Sequence, residues 1–320
     1  EKLDLNTTNC NFTNNRNSIN NGGGAIALSY GVWSDLSGSY SNNYSASSGG
    51  ALGIADSNVT IQKSYFVENR SDYNGGAIYH SGGNLSSFDN SFIRNYASQG
   101  GGVYCNQSTS LIFGNNSFIA NETSIMGTGG ALFINDVNSQ VQITNSLLHS
   151  NKASVCGVIS PSVSTLFTNC TLTQNNASAF GSIAGLFEGQ FIDFQNSILW
   201  NNSDDTLKTE IFLIGGSVNL QNCIFNPDHS LTSLTTSNIL NLDPLFIDIN
   251  GSDGIAGNED DDYNLQATSP AIDRASTGAQ QYTTTDILGK TRYGNGPDIG
   301  AYEYRVNSTP VIESGSTYSL

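Results

Sequence analysis

Short apolar runs of three to six residues, separated by clusters of Asn, Gly and Ser, recur along most of this chain. The runs are rich in Val, Ile, Phe, Leu and Thr, a composition typical of β-strands separated by turns. No stretch keeps the 3.6-residue apolar period of an amphipathic helix. The pattern therefore predicts an all-β protein built from many short strands.

A glycine pair followed by a small or branched residue and a larger one recurs at a nearly fixed interval. Glycine accepts positive φ without steric cost, so each pair suits a tight turn into the next strand. Successive copies are 26, 26, 26, 28, 27 and 25 residues apart, and a period in this range indicates a repeat architecture. The copies begin at Gly23, Gly49, Gly75, Gly101 and Gly129, with degenerate ones at Cys156 and Gly181.

A second motif, an aromatic or aliphatic residue three positions before an asparagine, runs in phase with the first. Its copies are Phe12/Asn15, Tyr40/Asn43, Phe66/Asn69, Phe92/Asn95, Phe118/Asn121, Leu148/Asn151, Leu172/Asn175 and Ile198/Asn201. If each repeat is one turn of a solenoid, equivalent residues form columns about 4.8 Å apart. We then expect an internal stack of the apolar residues. The asparagines should form a ladder in which each amide bonds to the next.

These motifs predict a right-handed parallel β-helix of about eight or nine coils. A propeller blade would need about 40–45 residues per repeat, and the handedness follows from the chirality of parallel crossovers. We divide the chain into β-helix repeats at 1–240, an irregular C-terminal capping segment at 241–304 and a linker or tail at 305–320. The chain opens within a repeat, which is typical of a processed product or a fragment.

The repeats resemble those of chlamydial polymorphic outer-membrane proteins and related bacterial surface β-helix proteins. The stretch at 242–304, with "NLDPLFIDINGSDGIAGNEDDDYNLQATSPAID", "DILGKTRY" and "DIGAYEY", is similar to the closing segment of secreted bacterial β-helix proteins that carry C-terminal anchors. The resemblance implies an extracellular or cell-surface location in a bacterium, and hardly anything about activity.

Composition narrows the function further. The chain has 40 Asn, 43 Ser and a net charge of −16, which is typical of a soluble protein outside the cell. Nucleic-acid binding requires a basic surface, so we expect no nucleic-acid partner, and no apolar run is long enough to span a membrane. The cysteines Cys10, Cys105, Cys156, Cys170 and Cys223 match no zinc spacing or even disulfide framework, so we expect small column-filling side chains.

The acidic stretch at 248–262 is a candidate calcium site, and calcium is the one cofactor that the sequence suggests. Oxygen-bearing residues at alternating positions, a glycine for the turn and nearby carboxylates are what calcium requires. A solvated acidic loop without metal is the alternative. The candidate ligands are Asp248, Asn250, Ser252, Asp253, Glu259, Asp260 and Asp262.

Catalytic candidates are weaker. Glu68 and Arg94 occupy the same column on adjacent coils and are expected to form a surface ion pair, with Lys63, Arg70 and His80 nearby. A polysaccharide lyase needs a base and cationic or metal neutralisation, whereas a glycoside hydrolase needs two carboxylates at a set separation. The scattered Asp56, Asp72 and Asp89 form no convincing pair, so an enzyme remains uncertain and the less favoured interpretation.

Aromatic side chains suggest a possible binding face. Tyr79, Cys105 and Phe133 are predicted to share a column, and an exposed aromatic ladder could stack on sugar rings. Inward-facing core residues would give the same list. Tyrosines also enrich the early coils, at Tyr30, Tyr40, Tyr44, Tyr65 and Tyr73.

The sequence favours an extracellular structural or adhesive protein, a rigid rod or fibre subunit of the bacterial surface. Its open first coil suggests self-association, end to end or with neighbouring chains, and glycans or host-surface molecules are further candidate partners. The alternatives are a polysaccharide lyase or glycoside hydrolase, and a calcium-dependent glycan-binding module.

Overall fold

The structure is a computed structural model that describes residues 3–19, 22–135, 140–204, 210–226, 233–292 and 296–305. The described residues form strands and turns without a helix, and parallel strands stack as a β-solenoid of about eight turns. The predicted fold class is therefore confirmed. The predicted tail falls almost wholly outside the described residues.

Four strand positions follow one another around each coil, and we call the resulting parallel columns of strands stacks 1 to 4. Coils are numbered 1 to 8 by their strand in stack 4, at Arg16–Asn17, Tyr44–Ser45, Arg70–Ser71, Tyr96–Gln99, Glu122–Thr128, Lys152–Val155, Asn176–Phe180 and Ser203–Asp204. Stack 4 forms a sheet of its own, and stacks 1 to 3 form one 24-stranded sheet.

The other strands are as follows. Stack 1 contains Ile26–Ser29, Leu52–Ala55, Leu132–Asn135, Ile159–Ser160, Ala184–Phe187 and Ile211–Ile214. Stack 2 contains Leu3–Thr8, Gly31–Leu36, Asn58–Gln62, Gln140–Thr144, Thr165–Thr168 and Phe191–Gln195. Stack 3 contains Asn11–Thr13, Ser39–Ser41, Tyr65–Val67, Ser91–Ile93, Ser117–Ile119, Leu147–His149, Thr171–Thr173 and Ile198–Trp200. Ile78–Phe88 and Val103–Gly114 run through stacks 1 and 2, and Ser217–Phe225 and Leu234–Leu240 run through stacks 2 and 3.

The predicted apolar column is a continuous internal stack. Phe66, Phe92 and Phe118 follow one another with ring centroids 5.0 and 4.6 Å apart and rings within 7° of parallel. Tyr40 and Phe12 extend the stack above, and aliphatic side chains continue it below. Because these side chains are buried in successive coils, the stack removes water from the centre of the solenoid.

The asparagine ladder is also confirmed. Asn95, for example, donates from its backbone N and its Nδ2 to Oδ1 of Asn121, at 3.1 and 2.9 Å, and again from Nδ2 to the carbonyl of Phe66. The same bonds link Asn43 to Asn69 and Asn121 to Asn151. Each internal amide is thereby satisfied, which a buried polar column requires. The residue before each ladder asparagine, not the asparagine itself, takes positive φ and makes the corner.

Two predicted registers are wrong by one residue. Leu199 and Asn202 continue the apolar stack and the ladder, not Ile198 and Asn201. In coil 5 Val103 pairs with Ile78, so the glycine motif begins at Gly100 instead of Gly101. The motif fits both stretches in two registers. The first has adjacent apolar residues followed by two asparagines, and the second has three glycines in a row.

The described residues of 241–304, which we call the lateral segment, pack along the side of the solenoid on the outer surface of stack 3. Their antiparallel strands are Phe246–Asp248 and Asp262–Leu265. Apolar residues of the segment, including Phe246 and Tyr263, form a second buried cluster with outward-facing solenoid residues such as Ile198. The sequence predicts a capping segment here, and the contacts of its described residues are with the flank of coils 4 to 8.

All five cysteines are free, and Cys105, Cys156, Cys170 and Cys223 are buried. Cys170 and Cys223 flank Ser197 in one column, and the backbone N of Cys170 donates to Ser197 Oγ. Burial raises the pKa of the Cys156 thiol to about 11 and those of Cys170 and Cys223 to about 12. These thiols therefore fill space in the core as neutral groups.

Candidate functional site

Stack 4 carries a line of charged and aromatic side chains on its outer surface. Each belongs to the residue directly after a ladder asparagine, and the parallel register places them one above another on coils 1 to 6. In order they are Arg16, Tyr44, Arg70, Tyr96, Glu122 and Lys152. Because the backbone spacing between coils is about 4.8 Å, the six side chains form a straight row along the rod. We call this row the stack-4 track.

Arginine and tyrosine alternate in the first four positions of the track. The guanidinium of Arg16 lies 4.2 Å from the ring centroid of Tyr44, and that of Arg70 lies 4.7 Å from the ring centroid of Tyr96. These are cation–π contacts, which hold the arginine planes against the rings. The phenol of Tyr44 donates to Asp72 at 2.6 Å, and this hydrogen bond raises the pKa of Tyr44.

A groove of about 400 Å³ opens beside the lower half of the track. It is lined by Arg70, Arg94, Asn95, Tyr96, Ala120, Glu122, Ser150 and Lys152. The floor is formed by Ala120 and Ser150, two small residues that hold positive φ at the corner between stacks 3 and 4. Neighbouring coils place larger residues at this corner, Glu68 and Arg94 on one side and Gln174 on the other. The groove therefore results from two consecutive small side chains in one column.

Arg94 forms one wall of the groove. Its Nε donates to Glu68 at 3.0 Å, which confirms the predicted ion pair, and its Nη1 donates to Glu259 of the lateral segment at 2.7 Å. The hydrogen bond to Glu259 raises the pKa of Arg94. Since all three side chains are partly exposed, each pair contributes little to stability. Together they join the lateral segment to coils 3 and 4.

The residues considered as weak catalytic candidates are not brought together in one site. His80 points into the core, where Nδ1 contacts Ser108 Oγ at 2.8 Å and Nε2 contacts the carbonyl of Ser57 at 3.2 Å. Lys63 and Asp89 lie at a different corner, between stacks 2 and 3. Of the predicted residues, only Arg70 and Arg94 line the groove.

The predicted aromatic column needs one correction. Tyr79, Tyr104 and Phe133 share it, with centroids 5.5 and 4.9 Å apart, whereas Cys105 faces the core between His80 and Ile134. The error follows from the shifted glycine register of coil 5. Since the rings stack on one another, the central Tyr104 has both faces covered and cannot present one to a sugar.

The early tyrosines do not form one surface. Tyr40 is part of the core stack, Tyr44 belongs to the track, and Tyr30, Tyr65 and Tyr73 are exposed singly at different positions. Isolated exposed aromatic residues are ordinary features of protein surfaces. They add nothing to the groove.

The acidic stretch 248–262 uses many of its carboxylates to hold its own turns. Asp260 Oδ2 accepts from the backbone N and Oγ of Ser252, both at 2.6 Å, and the Ser252 hydroxyl lowers the pKa of Asp260. Asp248 and Asp253 accept from backbone N atoms two residues ahead. Asp262 does the same, and Glu259 pairs with Arg94.

Within the described ranges, no group of three or more His, Cys, Asp or Glu side chains is arranged to hold a metal ion. The backbone N of Asn250 donates to Asp248, and the backbone N of Ser252 donates to Asp260. Calcium binding by Asp248, Asn250, Ser252, Asp253, Glu259, Asp260 and Asp262 stays a prediction.

The sequence motifs do not single out Tyr96, Glu122 and Lys152, which line the groove. The signal was present, because each directly follows a ladder asparagine and must share a column with Arg70. Their side chains differ from coil to coil, so they belong to no repeated motif.

No protein-family model matches this chain, and no curated protein is significantly similar to it. Among the described residues, no helix offers the length and hydrophobicity needed to span a membrane. The class of protein supported at this point is a parallel β-solenoid with a laterally packed C-terminal segment.

Proposed function

We propose that this protein is an extracellular structural or adhesive rod of a bacterial surface, and that it binds an acidic glycan along the stack-4 track. The observation that carries the proposal is the row Arg70, Tyr96, Glu122 and Lys152 on four successive coils beside an open groove. A linear polymer can follow such a row because both have regular spacing.

Each side chain of the row has a role in the proposed binding. Arg70 and Lys152 supply cations for carboxylate or sulfate groups, and Arg70 is also fixed in place by its contact with Tyr96. Glu122 lies between them and can accept hydrogen bonds from sugar hydroxyls. Three of the eleven Lys and Arg residues line this one groove, although the chain has a net charge of −16.

The solenoid supports the structural part of the proposal. The asparagine ladder and the apolar stack run through eight coils without interruption, so each coil is tied to its neighbours by side chains as well as by backbone hydrogen bonds. Rigid scaffolds keep binding residues at fixed positions, which lowers the entropic cost of binding.

The test is glycan binding by the wild-type protein and by the double variant Arg70→Ala/Lys152→Ala. Lys63→Asn serves as the matched control, since it removes a cation at a corner outside the groove and asparagine tolerates the positive φ there. We expect an acidic glycan to bind the wild type and the control, at least ten-fold weaker binding to the double variant, and weaker binding at high salt. Equal binding to all three proteins would refute the role of the track.

The same glycan panel separates the alternative functions. New reducing ends or unsaturated uronates would identify a hydrolase or a lyase, and binding lost on addition of EDTA would identify a calcium-dependent module. If no glycan binds, the adhesive part of the proposal fails. The rod itself is tested separately by small-angle scattering, which should give an elongated particle.

A further inference from the structure

A pocket of about 270 Å³ lies where the lateral segment meets the outer surface of stack 2, on coils 6 to 8. Gln280 of the segment closes one side, where its backbone N donates to Gln195 Oε1 and its carbonyl accepts from Thr168 Oγ1. Leu166, Phe191 and Asp193 of the solenoid also line the pocket. The pocket therefore exists only because the two parts of the chain are packed together.

Asp193 is the most unusual residue in this pocket. It occupies an outward-facing column of stack 2 in which every other described position is uncharged. These positions are Asn6, Ser34, Thr60, Ser86, Ile112, Gln142 and Leu166 in coils 1 to 7, and Asn219 and Thr235 in the two strands that follow. Asp193 is only 9% exposed. A single buried charge in a neutral column is not explained by solubility or by the repeat.

The Asp193 carboxylate is held in one orientation. Its Oδ2 accepts from Gln195 Nε2 at 2.7 Å, and its Oδ1 accepts from Asn219 Nδ2 at 2.8 Å. Both donors are neutral amides, and Asp193 forms no ion pair with any basic side chain in the described ranges. A charge this far out of water is costly unless a charge of opposite sign compensates it.

The other walls define the shape of a suitable ligand. Leu166 and Phe191 are half-buried and give the pocket an apolar side, while Gln142 and Gln280 add amide groups. A compact ligand with one cationic group and a small carbon body would match both features. An ammonium is a compact charge with three donors, whereas a guanidinium is a larger planar fork.

We propose that this pocket binds the primary ammonium group of a small ligand, with the ammonium on Asp193 and the body of the ligand against Leu166 and Phe191. Such an ammonium could come from an amino sugar or from an aliphatic amine. The site differs in location and in charge from the stack-4 track, so it does not depend on the proposed function.

The experiment is isothermal titration calorimetry at low salt, near pH 6. The ligands are D-glucosamine, N-acetyl-D-glucosamine and cadaverine. We expect D-glucosamine to bind and its uncharged N-acetyl form to bind at least ten-fold more weakly. Tighter binding of glucosamine than of cadaverine would assign the sugar as the source of the ammonium, and the reverse order would assign an aliphatic amine. No binding of either amine at millimolar concentration would overturn the proposal.

Two variants connect binding to the pocket. Asp193→Asn keeps the shape but removes the charge, and it should weaken amine binding at least ten-fold, whereas Glu188→Gln, an exposed acid of the same coil, should leave it unchanged. Leu166→Lys places an ammonium one coil from Asp193, so it should abolish binding and raise the melting temperature. Because Leu166→Lys is expected to be stabilising, it keeps the test valid if Asp193→Asn folds poorly. Unchanged binding in either pocket variant would overturn the assignment.

Discussion

Individual residues at the corners of the coils adopt a backbone conformation that most side chains avoid. At the corner between stacks 3 and 4, coils 1, 2 and 8 place an asparagine at positive φ, and coil 7 places Gln174 there. Ala120 holds φ of +50° at the same corner without a polar side chain to compensate. Every coil takes positive φ at this corner, but only coil 5 does so with an alanine, and Ala120 lines the groove.

We predict that Ala120→Gly stabilises the protein by about 1 kcal/mol. Left-handed backbone costs an L-residue about 1–2 kcal/mol, and the greater freedom of glycine in the unfolded chain offsets part of the gain. Urea denaturation should show a higher midpoint. Asn42→Gly at the equivalent corner of coil 2 is the control and should change the stability by a few tenths of a kcal/mol, since asparagine already tolerates this conformation. A destabilised Ala120→Gly protein would contradict the account of strain.

At the scale of the element, the asparagine ladder ties stack 3 to stack 4 in every coil. Its upper end is exposed at Asn15, which donates to Asn43. At its lower end the backbone N and Nδ2 of Asn202 donate to Glu210 Oε1 at 3.3 and 3.4 Å. The carboxylate therefore takes the place of the next asparagine. Replacing an internal asparagine of the ladder should consequently destabilise the protein more than replacing Asn15.

Asn95→Ala should reduce the free energy of unfolding by about 3 kcal/mol or more. The change leaves the backbone N and Nδ2 of Asn69 without their acceptor and the carbonyl of Phe66 without its donor, and each unsatisfied buried group costs about 1–3 kcal/mol. Asn15→Ala, at the exposed end, should cost less than about 1 kcal/mol. Denaturant unfolding of the two variants side by side provides the measurement, and similar losses would argue against a cooperative ladder.

At the scale of the whole molecule, the lateral segment is attached through buried polar contacts as well as apolar ones. His149 of stack 3 is buried, and its Nδ1 lies 3.2 Å from the hydroxyl of Tyr263, which donates to Gln174 at 2.6 Å. Asp261 Oδ2 lies 3.9 Å from the same nitrogen. Burial lowers the pKa of His149 to about 3 and raises that of Asp261, so the imidazole is neutral in the folded protein.

This arrangement predicts that acid loosens the lateral segment. Unfolded histidine has a pKa of about 6.5, so the unfolded form binds the extra proton between about pH 6.5 and pH 3. The stability contributed by neutral His149 is therefore complete above pH 6.5. Below that pH, the free energy of unfolding decreases by up to about 1.4 kcal/mol for each pH unit. Hydrogen exchange of residues 262–265 at pH 7.5 and pH 5 measures this loss.

His149→Gln is the comparison protein, because glutamine can bond to Tyr263 but does not titrate. Asp298 acts in the opposite direction, because burial raises its pKa to about 6. The stability that the protonated Asp298 contributes is lost as the pH rises from about 4 to 6. It is present in both proteins, so subtraction removes its effect. Identical acid sensitivity of wild type and variant would show that His149 does not control the segment.

Much of the fold could be predicted, because the repeat makes the same residue serve the same purpose in every coil. Phe66, Phe92 and Phe118 fall into one stack for that reason, and so do Asn69, Asn95 and Asn121. Prediction failed where the letters were ambiguous, at Ile198 and at the triple glycine of coil 5. There, burial and hydrogen bonding to neighbouring coils select one of two registers that the sequence alone permits.

The sequence by itself determined the period of the chain and, outside the two stretches that fit two registers, the side chains of the apolar stack and the asparagine ladder. A solenoid contact is always made to the coil one repeat away, so its partner can be read from the numbering. Only the tertiary structure decided where the non-repeating residues 241–304 lie. Their contacts, such as Gln280 with Gln195 or Tyr263 with His149, follow no period and depend on which outer surface buries the most apolar area. The Asp193 pocket and the ion pair between Arg94 and Glu259 exist for that reason alone.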